Sequence, residues 1–227
     1  MPPKNRLVET IKSDETRDLL ADGTDTVIDV LSESEVASQI PFAGLVVKTY
    51  QASKSIRERM QIKKLAKFLE YPSQMSEAEK NKFAAQFENV DKEEEFGEQM
   101  LVLIDKADDA EKPKIIGRLL AARVKGHFDQ NTFMRLCKMV DRAFVEDFRH
   151  LRVLRNGENH MADEDVEQSL RSSGFLRQIN NTDTAIISGV PVGPGGFKLT
   201  QYGRWLVDLG LSDGPIPSPE KERTHFS

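Results

Sequence analysis

Apolar residues recur at helical spacing along most of the chain. Ile62, Leu65, Ala66 and Leu69 follow the i, i+3, i+4, i+7 rule, while Arg59, Lys63 and Lys67 line up at i, i+4, i+8 on another face. Tyr71-Pro72 ends that helix, because proline cannot continue the hydrogen-bond ladder. Ser76 and Glu79 then spell a capping box, with Ser76 as N-cap and Glu79 reaching back, and Phe83 and Phe87 fall on one side of the helix it starts. Phe96, Met100, Leu103 and Ile104 mark another helix, with Asp108-Asp109 in the loop after it. Pro113 opens the next, whose apolar face carries Ile116, Leu119, Leu120 and Val124 and which Gly126 stops. Asp129 caps a further helix with Phe133, Leu136, Cys137 and Val140 on one face, and Phe144, Phe148, Leu151 and Leu154 belong to one more. Short connections between such helices imply antiparallel neighbours in a bundle.

The two ends read differently. After the turn-forming Asp22-Gly23, Val27, Ile28, Val30 and Leu31 predict a short helix, and residues 40–47 are apolar on every side, with Pro41 suited to a first turn. A helix hydrophobic all round is buried in protein or embedded in lipid, and this one is too short to span a bilayer. Past Asn156-Gly157, residues 165–172 read as a helix, 184–187 as β-prone, 189–196 as a Gly/Pro loop and 197–199 as extended. Thr200 then caps a helix carrying Tyr202, Trp205, Leu206 and Leu209. The expected architecture is mainly α: a helical bundle over 5–155, a small α+β module over 160–211, and a disordered tail over 212–227.

Composition changes this picture in two ways. A chain of 227 residues with 38% hydrophobic and 30% charged positions can bury a core without metal or disulfide staples. The single cysteine, Cys137, has no internal partner, the opening residues lack the apolar core of a signal peptide, and no apolar run approaches the roughly 20 residues of a membrane span. The expected location is the cytoplasm, with contact at the inner face of the membrane as the alternative. The net charge of −5 argues against bulk phosphate neutralisation as the main activity. That average hides a polarity. Lys54, Arg57, Arg59, Lys63, Lys64 and Lys67 face one acid, Glu58, whereas 70–112 is acid-rich around Asp91 to Glu95. Such asymmetry serves an anionic partner, or lets two helices of one protein attract each other.

No catalytic motif stands out. Cys137 lies on a predicted core face, where a thiol acts as a small hydrophobe; a nucleophilic pairing with His150 or His127 is the weaker alternative. The four histidines show no paired ligand spacing, and Asp105, Asp108, Asp109 and Glu111 read as solvated loop carboxylates rather than a cation site, so neither metal nor cofactor is expected. Gly193-Pro194-Gly195-Gly196 lacks the Lys of a phosphate loop and precedes a strand.

Several stretches resemble known families. Residues 119–136 look like a degenerate EF-hand, or the helical unit of tellurite-resistance-type proteins, because Gly126, Phe128 and Phe133 stand where a calcium loop has its glycine, its central apolar residue and its first following residue. With Gly126 sixth in the loop, the ligand positions one, three, five and twelve fall on Ala121, Arg123, Lys125 and Thr132, two of them cations, which leaves a packing motif and no calcium site. The run from Leu170 through Gly174-Phe175-Leu176 to Leu199-Thr200-Gln201-Tyr202-Gly203 resembles the end of a winged-helix domain, with a two-stranded wing tipped by 193–196. The helix in recognition position, around Glu164, Asp165 and Glu167, is acidic, with Arg171 its one cation, so it would repel phosphates. The combination of 40–44, Lys63 to Leu69, Gly97 to Leu101, and Asp129 to Phe133 before Asp147-Phe148 resembles an uncharacterised bacterial helical family. The layout as a whole is similar to abortive-infection alpha-type proteins, which implies a role in bacterial defence or on a mobile element.

The reading these features support is a non-enzymatic regulatory or protein-interaction protein. Phe42, Leu45, Lys54, Arg59, Lys63 and Lys67 would be its contact surface for another protein. A membrane-peripheral effector would turn the same apolar and basic residues toward an anionic membrane surface. A DNA-binding regulator, the third class, would use Arg171, Arg177 and Lys198.

Overall fold

The computed structural model describes residues 7–21, 56–157, 163–179, 185–187, 190–192 and 196–219. Within them the fold is mainly helical with a small strand component. In chain order the helices are α1 (Leu7–Lys12), α2 (Asp14–Ala21), α3 (Ile56–Leu69), α4 (Glu77–Ala84), α5 (Val90–Lys106), α6 (Glu111–Lys125), α7 (Gln130–Arg142), α8 (Phe148–Asn156) and α9 (Glu164–Ser172). The strands β1 (Leu176–Gln178), β2 (Ala185–Ile187), β3 (Val190–Val192) and β4 (Phe197–Leu199) precede the last helix, α10 (Gln201–Trp205). The helix expected over 27–31 and the apolar segment 40–47 lie outside the described residues.

Local chemistry explains most boundaries. The Ser76 hydroxyl accepts from the Glu79 amide at 3.3 Å while the Glu79 carboxylate accepts from the Ser76 amide at 2.8 Å, closing the capping box of α4. Asn89, Asp129 and Thr200 cap α5, α7 and α10 by accepting from the amides of Lys92, Thr132 and Gly203. Each such cap stabilises its helix by about 1 kcal/mol. Gly126 ends α6 at φ 101°, a left-handed conformation that a side chain would strain.

The middle of α6 reads Ile115-Ile116-Gly117-Arg118-Leu119-Leu120-Ala121-Ala122, and all eight residues are buried. That helix is enclosed by α3, α4, α5 and α7, and on its remaining side by the last turns of the chain. Phenylalanines tie the surrounding helices together. Phe83 meets Phe96 edge-on at 5.8 Å, joining α4 to α5, and Phe96 lies 6.4 Å from Phe133 of α7. Phe148 of α8 meets Phe175 at 5.8 Å, and Phe128 meets Trp205 at 5.5 Å, so the C-terminal part shares one apolar cluster with the helices before it.

Among the described residues four lysine and arginine side chains are buried, and each reaches a backbone carbonyl in the last turn of a helical segment. Lys64 donates to Asp105 O at 2.9 Å, at the end of α5; Lys112 donates to Asp141 O at 2.7 Å, at the end of α7. Lys80 approaches Lys12 O, the last carbonyl of α1, at 3.5 Å, and Arg118 donates to Leu209 O at 2.9 Å. The last carbonyls of a helix have no intrahelical partner and carry the negative end of its dipole, which is why a buried cation is tolerated there.

Three details differ from the sequence expectation. Residues 190–192, placed in a Gly/Pro loop, form β3 and pair with β2 in the register Ala185↔Val192, Ile186↔Pro191, Ile187↔Val190. Proline fits because a two-stranded sheet has free outer edges. Phe144 is 63% exposed instead of sharing the α8 face, since Ala143 and Phe144 are both extended and break the helical phase. Finally, residues 213–217, placed in the disordered tail, dock against the helices. After α10 a wide turn closes with Leu211 N donating to Leu206 O at 2.8 Å, and Ile216 is buried against the core.

Candidate functional site

The residues chosen from the sequence separate. Phe42, Leu45 and Lys54 lie outside the described residues. Arg59 is exposed and Lys63 half-buried, but Lys67 forms an ion pair with Glu111, and Lys64 is spent on the end of α5. The basic stripe is therefore partly consumed by the protein itself, through Glu111 rather than the 91–95 run. The loop carboxylates are engaged too: Asp105 accepts from Gln61, Asp108 pairs with Lys112 at 2.7 Å, and Asp109 accepts from the Glu111 amide at 2.6 Å.

Cys137 is fully buried, and desolvation pushes its thiol well above the usual range, so the thiolate a nucleophile needs is disfavoured. His150 is buried 3.4 Å from Glu167, and His127 meets Pro217 O at 2.8 Å. Arg177 of β1 and Lys198 of β4 stand directly opposite each other, on the side of the strand pair away from the buried Leu176 and Leu199. Arg171 is exposed beside Gln168 at the end of α9.

What the structure does assemble is a cleft of about 420 Å³ where α5 and α7 meet the end of α6. Its apolar side is Phe87, Phe96 and Met134, with the two rings 5.4 Å apart. Its polar lining includes Arg123 and Gln130, each placed by a simple local cause. Arg123 occupies the last turn of α6, where a cation favours the helix dipole, and Gln130 is the first residue of α7 because Asp129 caps that helix by accepting from the Thr132 amide at 2.8 Å.

Two buried polar atoms here have no hydrogen-bond partner among the described residues, Arg123 Nη1 and Gln130 Oε1. Leaving such an atom unpaired costs about 1–3 kcal/mol. Burial lowers the pKa of Arg123 and the charge of Asp129 opposes that shift; a guanidinium nonetheless stays protonated. Hydrogen bonds from Thr132, helped by Arg123, hold the Asp129 carboxyl below its ordinary value. At the rim Lys92 and Glu95 neutralise each other at 2.9 Å. The cleft thus brings together one unused donor, one unused acceptor and an aromatic floor.

Neither residue belongs to a motif. The signal for Arg123 in the sequence is faint: its helical neighbours at i±3 and i±4, Leu119, Leu120, Gly126 and His127, include no carboxylate to pair with it. Comparison of the chain with protein-family models, with curated proteins and with solved structures finds no match. Among the described residues no helix is long and apolar enough to cross a membrane.

Proposed function

We propose that this protein works without catalysis, as a regulatory or interaction protein that grips a segment of another polypeptide in the α5–α7 cleft. The observation that carries the reading is the pair of unsatisfied atoms, Arg123 Nη1 and Gln130 Oε1, in one cleft with Phe87, Phe96 and Met134. A peptide group offers one acceptor and one donor, and a neighbouring side chain would cover the rings. Binding would return the hydrogen bonds that folding leaves unmade while removing apolar surface from water.

The C-terminal part we read as a winged-helix-like module. Supporting this are α9 leading into β1, the β1–β4 pair, and Thr200 opening α10, with the β2–β3 hairpin as the wing. Its α9 carries Glu164, Asp165 and Glu167 in the first turn, which favours contact with protein over contact with DNA. On the resemblance in layout alone, we place the partner within a bacterial defence or mobile-element system.

The test is site-specific photo-crosslinking in cells that carry the protein. A photoreactive residue replacing Gln99, on the cleft wall, is expected to capture one discrete polypeptide, and Arg123→Ala or Met134→Glu in the same chain should abolish that product. No product from Gln99 in a folded protein, or a product indifferent to both substitutions, would reject the cleft as the binding site.

A further inference from the structure

A second cleft lies on the other side of α6, and its chemistry is different. It has a volume of about 390 Å³ and is walled by α6, by the start of α8 and by the docked chain from Gly210 to Asp213. Arg118 lines it. That side chain is 1% exposed, and an arginine carries its charge at any pH a protein survives. Nε donates to Leu209 O and one terminal nitrogen, Nη2, donates to Gly214 O, both at 2.9 Å, while the ring of Tyr71 lies 4.3 Å from the guanidinium carbon. The other terminal nitrogen, Nη1, is buried with no hydrogen-bond partner among the described residues.

Among the described residues no carboxylate pairs with Arg118; two carbonyl dipoles and a ring face are its only compensation. Buried charges are ordinarily paired, because desolvating an unpaired one is among the largest penalties in a fold. Of the three lysines buried among the described residues, Lys112 pairs with Asp108 and Lys80 with Glu77, while Lys64, like Arg118, rests on a carbonyl. Arg118 is also not the only cation of this cleft. Lys114, Arg149 and Arg152 line it as well, against Glu111, Glu146 and Asp213. Glu111 is committed to Lys67 and Lys114 to Glu70 at 3.6 Å, and neither Glu146 nor Asp213 forms an ion pair with a described residue. Arg152 places one nitrogen on Leu211 O at 2.5 Å and keeps its other donors.

We propose that this cleft binds the phosphoryl group of a small phosphate monoester or of inorganic phosphate. Arg118 Nη1 would supply the buried donor, with Arg149 and Arg152 closing over the oxygens from α8. Donors from three guanidinium groups on two helices suit a tetrahedral, doubly charged oxyanion better than a planar, singly charged carboxylate. Arg118 and Arg152 also hold the chain at Leu209, Leu211 and Gly214, so an occupied site would also fasten the C-terminal strap to α6 and α8.

Isothermal titration and thermal unfolding with inorganic phosphate and with O-phosphoserine, at matched ionic strength, test the idea. Saturable binding and a rise in Tm are expected for at least one of them, and the tighter probe shows whether a free or an esterified phosphate is the natural source. Acetate should give neither effect. Arg149→Ala should weaken binding at least tenfold and leave the Tm without ligand unchanged, since Arg149 is exposed and forms no ion pair with a described residue. Arg118→Met should abolish binding; circular dichroism shows whether that variant folds, and Arg149→Ala decides the matter if it does not. A Tm rise matched by sodium chloride, equal binding of acetate, or unchanged phosphate affinity in Arg149→Ala would overturn the proposal.

Discussion

Gly117 of α6 sits so close to the end of α3 that a β-carbon added to it would fall 2.0 Å from the carbonyl oxygen of Phe68. Both partners are backbone, so no side chain can rotate away. The substitution Gly117→Ala would gain about 1 kcal/mol in helix propensity and lose more through forced separation of the two helices. We expect a net destabilisation of about 2 kcal/mol or more, read as a lower urea midpoint. An unchanged midpoint would show that α3 and α6 do not approach as closely as this contact requires.

Acid should weaken the fold through Asp108 and Asp129. The hydrogen bond from Lys112 holds Asp108 below its ordinary value of 3.8, and hydrogen bonds from Thr132 do the same for Asp129. A carboxyl depressed on folding stabilises the native state above its ordinary pKa, and that contribution disappears as pH falls through the lower folded value. Urea midpoints followed from about pH 6 to about pH 2 should therefore fall below about pH 4. Asp129→Asn keeps a capping side chain but no titrating group, so its acid limb should be flatter. A variant as acid-sensitive as the parent protein would exclude Asp129 as a source.

Cys137 should be silent until the protein opens. Its sulfur is fully buried and its thiol is shifted upward by desolvation. Ellman's reagent is expected to label it at the rate of unfolding, with labelling and loss of helix sharing one denaturant midpoint. Rapid labelling of the native protein would mean that the α7 face is open to solvent.

The docked C-terminal strap makes a separable prediction. Lys125 donates to Ile216 O at 2.8 Å, His127 meets Pro217 O at 2.8 Å, and the Ile216 side chain is buried. Ile216→Asp removes an apolar anchor worth about 2 kcal/mol. Hydrogen exchange should rise across residues 209–217 while α5, α6 and α7 stay protected. Uniformly faster exchange would show that the strap is part of the global fold instead of a local unit.

Much of the bundle could be read residue by residue. The Ser76–Glu79 box, the Asp129 and Thr200 caps, the Gly126 stop and the Cys137 core face all occur where the pattern places them. Those features are local: a cap depends on three or four consecutive residues, and an amphipathic face on spacing alone. The basic stripe was legible as a pattern but not as a surface, because only packing brings Glu111 to Lys67. Arg118 drew no attention in the sequence, because nothing near it in the chain shows what it holds.

Helix positions, their caps and the mainly α character follow from the order of residues, since each depends on neighbours within a turn or two. Which charges are buried, which carbonyls they reach, and which donors are left over belong to the tertiary structure. Arg118 meets Leu209 across 91 positions, and Lys112 meets Asp141 across 29. Contacts that distant leave no local spacing to detect, so the two clefts flanking α6 exist only once the helices have closed around it.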